Sequence, residues 1–495
     1  MAAQRVAIIG SGIGGLATAL ALQAEGHELL LIERDAAPPV ITPEAAFDAW
    51  ERPGVPQFRH AHIMLARLQT ILRDRHPVLL KQLLAAGLTL STVAEVLPAS
   101  HYCGIEPQPG DADLLHLWGR RATFEYVVRR YVGELPRVQF MHETRVVGLT
   151  GSRDEGRVVV NGVEVVRGDE PREIVRADLV VDASGARGKS LEWLAALGAT
   201  VDVDSRPSGF SYACRHYRLN DPEAAPPRES GGGNFDFLGF ATFYAEHGHY
   251  AVTFSCPEEE TELAELVRRP EGFDALCAQV PTLKLWTTRS TAQTKVLGSG
   301  RFENRWRRFR AGEGYIAGFF AVGDSLLQTN PMYGRGCASA FVQAGVLAEV
   351  LREVAEPQAR ARRYFERSRE LLNPYFELSI ATDRMYRTRA KLRRGGKVSG
   401  VDAFVNYAYE RAWLPATYRY PLLAREFLRS VQMREVSSLP VRLLAAWLLI
   451  AGFLHSLTGR QAQSQEPHKA PEREEFLRRV SARVRGDVGA ESVAP

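Results

Sequence analysis

Residues 5–35 read RVAIIGSGIGGLATALALQAEGHELLLIERD, and the order of elements in this stretch decides the fold. RVAIIG is a buried β run, GLATALALQAEG is a helix stopped by Gly26, and ELLLIE is a second strand. Between the first strand and the helix stands Gly10-Ser-Gly12-Ile-Gly14-Gly15. Gly10 permits the sharp turn, Gly12 lets the backbone approach a pyrophosphate, and Gly15 lets helix and strand pack closely. The helix N-terminus adds free amides and the positive end of its dipole. Glu33 closes the second strand about 20 residues on, where an acid accepts ribose hydroxyls. Strand, glycine turn, helix and acid together predict a dinucleotide site.

The rest of the 495 residues is more than one domain needs, so two packed domains with an appendage are expected. Apolar residues make up 45% and charged residues 24%, an ordinary globular composition. A net charge of +4, from 62 basic and 58 acidic side chains, gives no reason to expect nucleic acid as a partner. Cys103, Cys214, Cys256, Cys277 and Cys337 are scattered without a CxxC, which reads as reduced thiols in a cytoplasmic protein. The N-terminus carries no charged-then-apolar signal pattern and opens directly on a strand. The longest apolar stretch, Leu443 to Leu457, contains His455 and falls short of the roughly 20 residues a membrane span requires. It reads as a buried helix, with membrane-surface contact as the alternative.

Further strands are expected at Val138 to Met141, Arg145 to Leu149, Val158 to Val166, Ala177 to Asp182 and Tyr315 to Val322. Helical spacing marks Ala61 to Gly87, Arg120 to Tyr131 and Cys337 to Val354, and Ala36 to Gln57 reads as a loop over the ligand. From Ser208 to about Arg310 the pattern turns to strand-like pieces broken by Pro and Gly, which predicts an inserted antiparallel sheet. The fold class is therefore α/β: a Rossmann-like domain, an inserted sheet and a C-terminal helical region. The expected units are 1–207 and 311–356 for the Rossmann-like domain, 208–310 for the sheet, 357–460 for the helices, and 461–495 as a flexible tail.

Two further stretches, ADLVVDASG (Ala177 to Gly185) and YIAGFFAVGDSLLQTNPMYGRG (Tyr315 to Gly336), each end a buried strand with an acid. With the N-terminal motif they resemble the flavoprotein monooxygenases. GVPQFRHAH (Gly54 to His62) and NPMYGRG are similar to strings in bacterial polyether-type epoxidases, within a superfamily that includes squalene epoxidase. The resemblance spans roughly residues 5–355. It implies bound FAD, NADPH or NADH as reductant, and O2. Beside Gly10, Gly12, Gly15 and Glu33, it implies FAD contacts from Arg34, Arg59, Arg121, Val146, Asp324, Pro331, Gly334 and Gly336. Asp324 would hold the ribityl or pyrophosphate region. Pro331 to Gly336 would shape the loop beneath the isoalloxazine, and the helix from Cys337 would aim its amides at the flavin. Asp182 departs from the pattern, being followed by Ala-Ser-Gly185 rather than Gly, and Cys337 reads as a small packing residue.

Tyr212 and Arg215, in FSYACRHYRL, and Tyr333 are candidate pocket residues. The pairs His60/His62 and His247/His249 lack a third ligand at useful spacing, so no metal site is expected. No Gly-x-Ser-x-Gly elbow is present, which excludes that hydrolase class. Arg384, Arg387, Arg389, Lys391, Arg393, Arg394 and Lys397 form a basic run without an acid. It reads as a solvated helix face, or as attraction to anionic lipid or an acidic carrier.

The resemblance implies a monooxygenase that epoxidises or hydroxylates a lipophilic or aromatic natural-product intermediate through a flavin C4a-hydroperoxide. Such chemistry needs a dry pocket rather than a catalytic dyad. Aromatic residues of the inserted sheet (Phe210, Tyr212, Phe237, Phe240, Phe243, Tyr244, Phe254) are expected to line that pocket. Alternatives are a flavin-dependent reductase or dehydrogenase of isoprenoid-type double bonds, a halogenase lacking the usual Trp-x-Trp-x-Ile-Pro string, and a non-enzymatic FAD-binding module.

Overall fold

The computed structural model describes residues 3–96, 105–154, 157–228, 231–311, 314–435, 438–457 and 471–486. Cys103 and the expected tail outside 471–486 lie beyond the described residues. Five parallel strands form the central sheet, in the order Phe319–Ala321, Leu179–Asp182, Arg5–Ile9, Glu28–Ile32, Val138–Met141. Their continuous apolar runs suit a sheet covered on both faces, and Val6, Ile8, Val180 and Phe320 are fully buried. Helix α1 (Ile13–Gln23) follows the first strand, and α2 (Arg121–Gly133) packs beside it. The expected helix over 61–87 is two helices, Ala66–Arg75 and Pro77–Ala85, because Pro77 cannot continue the first and starts the second.

Close packing at the turn explains its glycines. A Cβ on Gly15 would sit 2.0 Å from the Gly10 carbonyl oxygen, so only glycine lets α1 leave the strand so tightly. Gly10 itself holds φ at 92°, in the region that disfavours side chains.

Up to residue 300 the 208–310 stretch forms an antiparallel sheet whose main path runs Gly232–Asn234, Gly239–Tyr244, His249–Pro257, Phe210–Leu219, Ser290–Ala292, with Leu297–Gly300 also on Phe210–Leu219, whereas Glu303–Arg308 pairs outside it, with Asp202–Pro207 and Leu327–Gln328. It also contains helices that the strand pattern does not announce, at Thr261–Leu266, Pro270–Gln279 and Pro281–Thr287. They cover one face of the sheet, where Phe237, Tyr244, Phe254, Phe273 and Trp286 build a second core.

Helix α3 (Arg335–Glu353) returns to the central sheet and packs on α1. The long α4 (Pro357–Arg393) follows, then α5 (Gly400–Ala408), a π-helical turn at Tyr409–Trp413, α6 (Pro421–Val431) and α7 (Leu439–Leu457). Three sequence expectations change here. The basic run on α4 finds its acids in three dimensions: Arg387 pairs with Glu259 at 2.6 Å, Arg389 and Arg393 with Asp236 at 2.5 and 2.8 Å, and Arg384 with Asp402 at 2.9 Å. These pairs tie α4 to loops of the sheet through Asp236 and Glu259 and to α5 through Asp402, while Arg384, Lys391, Arg393, Arg394 and Lys397 stay exposed to solvent. Within the expected tail, α8 (Arg473–Arg485) is a docked helix that buries Phe476, Leu477 and Val480 against the sheet's aromatic core. Its polar composition is that of a one-faced surface helix. And α7, expected to be buried, exposes a large part of its apolar surface.

Candidate functional site

A single cavity of about 1630 Å³ starts at the glycine turn and ends among the C-terminal helices. Gly10, Gly12 and Gly14 line its first end, and a Cβ on Gly12 would meet nothing within 4 Å, so the backbone there faces open space. Helix α1 begins at Gly12 with no side chain capping its amides, and α3 begins at Gly334 in the same state. Both N-termini border this cavity, as do Arg34, Arg121, Arg145, Arg187, Arg301 and Arg305. Two uncapped dipole ends and a ring of guanidinium groups fit an elongated anionic ligand.

Glu33 lies at this end, fixed by its neighbours. Its Oε2 accepts from Ser11 N at 3.1 Å, Ser11 Oγ at 2.5 Å and Arg52 Nη2 at 3.0 Å. Burial works to raise its carboxyl, but Arg52, Ser11 and the Asp35 amide outweigh burial and hold it below the usual range. Arg52 is the hub, since its buried guanidinium also pairs with Asp35 at 3.1 Å and Glu125 at 2.9 Å. No sequence motif pointed to Arg52, which comes from the loop expected to cover the ligand.

Midway, Asp324 faces the cavity with no hydrogen-bond partner among the described residues. Burial pushes its carboxyl up, opposed by Arg121, Arg305 and Arg307. A carboxylate left open on a ligand-sized cavity is suited to accept a ligand's hydroxyl or amide protons. Asp182 differs: fully buried and off the cavity wall, its Oδ1 accepts from Ser184 N at 2.9 Å and Ser325 Oγ at 3.2 Å, joining two loops.

Arg121 reaches Glu125 at 3.2 Å and His62 Nε2 at 3.1 Å. The guanidinium can only donate, so His62 accepts at Nε2 and donates from Nδ1 to the His60 carbonyl at 2.8 Å, which makes it the neutral tautomer. Burial, with Arg121 adding repulsion, holds His62 well below its ordinary value and lowers His60 to about 4. Among the described residues no group of His, Cys, Asp and Glu could hold a metal.

The turn Pro331–Tyr333, with Gly334 and the first residues of α3, forms the floor. Tyr333 OH donates to Asp383 Oδ1 at 2.6 Å, Asn330 Nδ2 to the same oxygen at 2.7 Å, and Asn304 Nδ2 to Oδ2 at 2.6 Å. Arg335 bonds Ser379 Oγ and the Tyr375 carbonyl on α4, so it is anchored below the loop. Asp383 thus supports the floor from α4, more than 45 residues along the chain, a role that only the tertiary contact reveals.

Of the residues expected at the site, Gly10, Gly12, Glu33, Arg34, Arg121, Val146, Tyr212, Asp324, Pro331, Tyr333, Gly334 and Gly336 line the cavity. Gly15 acts one step behind it, through packing. Two residues do not reach it. Arg59 turns away to the Phe47 carbonyl at 2.8 Å and Glu51 at 2.8 Å. Arg215 points to the sheet's other side, bonding Asp274 at 2.8 Å and the Thr294 carbonyl at 3.0 Å. Strand alternation explains the latter, because Tyr212 and Arg215 are an odd number of residues apart and lie on opposite faces.

The aromatic lining also differs from expectation. On its cavity side the sheet presents Gly239, Ala241, Phe243, Thr253, Ser255 and Ser299; of the expected seven aromatics Tyr212, Phe240 and Phe243 border the cavity, Phe240 with its ring packed in the core behind the sheet. Phe210, Phe237, Tyr244 and Phe254 do not line the cavity and are buried, the last three in the core behind the sheet. Aromatic lining is supplied instead by the C-terminal region, through Tyr386, Tyr409, Trp413, Tyr418 and Phe427.

Comparison with known proteins agrees with this layout. Residues 8–39 match the model of the NAD(P)-binding Rossmann-like domain. The chain is 28% identical over 374 residues to Protein Rv3254 of Mycobacterium tuberculosis, covering 70% of this chain and 72% of that one. In three dimensions it is similar to the flavin-dependent brominase Bmp2, with TM-score 0.58, 15% identity, and 93% and 100% of the two chains covered. It is also similar to pqsL of Pseudomonas aeruginosa, a probable FAD-dependent monooxygenase, with TM-score 0.54, 16% identity, and 79% and 96% covered. The chain has the fold of the flavin-dependent monooxygenases and halogenases.

Proposed function

We propose that the protein is a FAD-dependent monooxygenase acting on a lipophilic or aromatic natural-product intermediate, with NADPH or NADH as reductant. One observation carries this reading: two uncapped helix N-termini and the open carboxylate of Asp324 share a cavity that continues into an aromatic chamber. Gly12, Gly14 and the α1 amides would hold the pyrophosphate, Glu33 a ribose, Asp324 the ribityl chain, and the start of α3 the flavin edge that becomes anionic on reduction. Bound FAD, once reduced, supplies the activation of O2.

The chain's own part is to bind, orient and exclude water. Tyr212, stacked on Phe302 at 5.1 Å and edge-on to His60 at 5.3 Å, gives a firm apolar boundary on the sheet side. Tyr386, Tyr409 and Trp413 would cover the substrate from the opposite side, and the small residues of the sheet leave room for it. The finer assignment, epoxidation or hydroxylation of an alkene or aromatic ring, rests on the similarity of GVPQFRHAH and NPMYGRG to the epoxidase strings.

The test is direct. Purified protein should be yellow, release FAD on denaturation, and consume NADPH or NADH and O2 with a lipophilic substrate. Mass spectrometry should find one atom from ¹⁸O2 in the product. Halide incorporation would favour halogenase chemistry, turnover without oxygen uptake a reductase or dehydrogenase, and absence of flavin binding would end the reading.

A further inference from the structure

The C-terminal helices carry an apolar surface that neither core uses. On α7, Leu439, Leu443, Trp447, Ile450 and Leu454 are exposed at intervals of three or four residues, one continuous stripe along the helix, with Trp447 62% exposed. On α5, Val401, Phe404 and Val405 are exposed as well, Phe404 to 63%. Contiguous large apolar side chains of this kind mark a surface that something covers. The other side of α7 is accounted for, because Gly452 lies so close to Ala416 that a Cβ would come within 3.3 Å of it. Among the described residues no helix is long and apolar enough to cross a membrane, and a helix with one exposed apolar stripe and its other side packed on the protein suits a position along a bilayer surface.

Charge decides the occupant. Leu439–Leu457 holds no acid and one base, Arg442. Arg442 and Arg411 are exposed and have no carboxylate partner among the described residues. The neighbouring acids are engaged: Asp402 with Arg384 at 2.9 Å, Glu410 with Arg389 at 3.5 Å, and Glu426 with Arg429 at 3.5 Å. An apolar stripe on a helix that carries Arg442 and packs against the turn holding Arg411 complements an anionic lipid surface. The same elements reach the cavity. Phe427 on α6, which packs against α7, lines the cavity while 43% exposed, and it meets Trp413 edge-on at 4.9 Å.

We infer that the exposed stripe of α7 docks on an anionic lipid bilayer, with α7 lying in the plane of the headgroups. A lipophilic substrate then enters from that layer past Phe427. This second step rests on the proposed function, whereas the docking does not.

The experiment uses the full chain, with and without added FAD, and vesicles of phosphatidylcholine alone or mixed with phosphatidylglycerol. Sedimentation with the mixed vesicles is expected, weakened by salt. W447E/I450E should abolish it, and R411E/R442E should weaken it by about fivefold or more per arginine. Thermal midpoint and FAD titration of each variant, matched to the parent, establish that it is folded. Equal binding to both vesicle types, or to neither, overturns the inference. So does a dimer detected by light scattering that W447E/I450E dissociates while no vesicles are bound, since a second copy would then cover the stripe. A chain that binds vesicles but not FAD overturns the flavin reading alone, and one that binds FAD but not vesicles overturns only this inference.

Discussion

Tyr333, in the loop that floors the cavity, donates its hydroxyl to Asp383 on α4 at 2.6 Å. Burial raises the Asp383 carboxyl, but the donors Tyr333, Asn330 and Asn304 work to keep it charged. Asp383→Ala should therefore leave these donors without their acceptor and cost about 3–5 kcal/mol, against about 1.5–3 kcal/mol for Tyr333→Phe. Urea unfolding of the two variants measures the difference. Equal small losses would show that Asp383 is not the anchor.

A second expectation separates two acids. Asp324→Ala should fold with an unchanged thermal midpoint and lose FAD affinity by at least tenfold, because this carboxylate has only the cavity to face. Asp182→Ala should do the reverse, retaining more flavin but melting earlier, since it joins the Ser184 and Ser325 loops. Flavin titration with thermal denaturation of both variants gives the answer. Equal flavin content in both variants and the parent would remove the assignment.

Arg52 should be the most sensitive residue at the first end of the cavity. Arg52→Ala leaves Glu33, Asp35 and Glu125 buried around an absent cation and should cost about 3–5 kcal/mol. Arg52→Lys should lie between parent and alanine, because a single ammonium cannot reach three carboxylates. Denaturation midpoints of the pair test this, and a stable alanine variant would contradict it.

Stability should also fall as the medium becomes acidic. His60 is lowered to about 4, and His116 and His216 to about 3, in each case chiefly by burial. The unfolded chain takes up protons below its ordinary value of 6.5 while the folded chain refuses them, so stability is full above that value and lost as pH drops through the interval. Each such histidine contributes a slope of about 1.4 kcal/mol per pH unit. Urea midpoints at about pH 7 and about pH 5 should differ markedly, and His216→Gln should flatten the dependence. A flat profile in the parent would rule out neutral buried histidines.

What could be read in the sequence was local. Gly10 to Gly15, Glu33 and Asp324 sit in short strand–turn–helix units whose geometry follows from neighbours along the chain. Tyr212 was legible as a cavity residue, but Arg215 was not, because three residues along a strand reverse the facing. Arg59 resembled a ligand-binding residue until the Phe47 carbonyl and Glu51 engaged its guanidinium. The basic run of α4 lacked acids only while Asp236 and Glu259 were distant in sequence. Asp383 and Arg52 act through partners on other segments, so no local pattern marks them.

Helix α8 gives the cavity's sheet wall a backing plate. Phe476 meets Phe235 and Phe237 at 5.8 and 5.6 Å, and Phe235 meets Phe240 at 5.2 Å, the residue that borders the cavity. Arg473 adds a clasp on Glu260 at 2.7 Å, the carboxylate that Arg394 of the neighbouring helical wall approaches at 3.7 Å. Cutting the chain ahead of α8, or crowding it with a bulky fusion, would wet the rear of this wall and let Phe240 swing. On the proposed function, the damage would surface as altered choice of substrate before any loss of flavin.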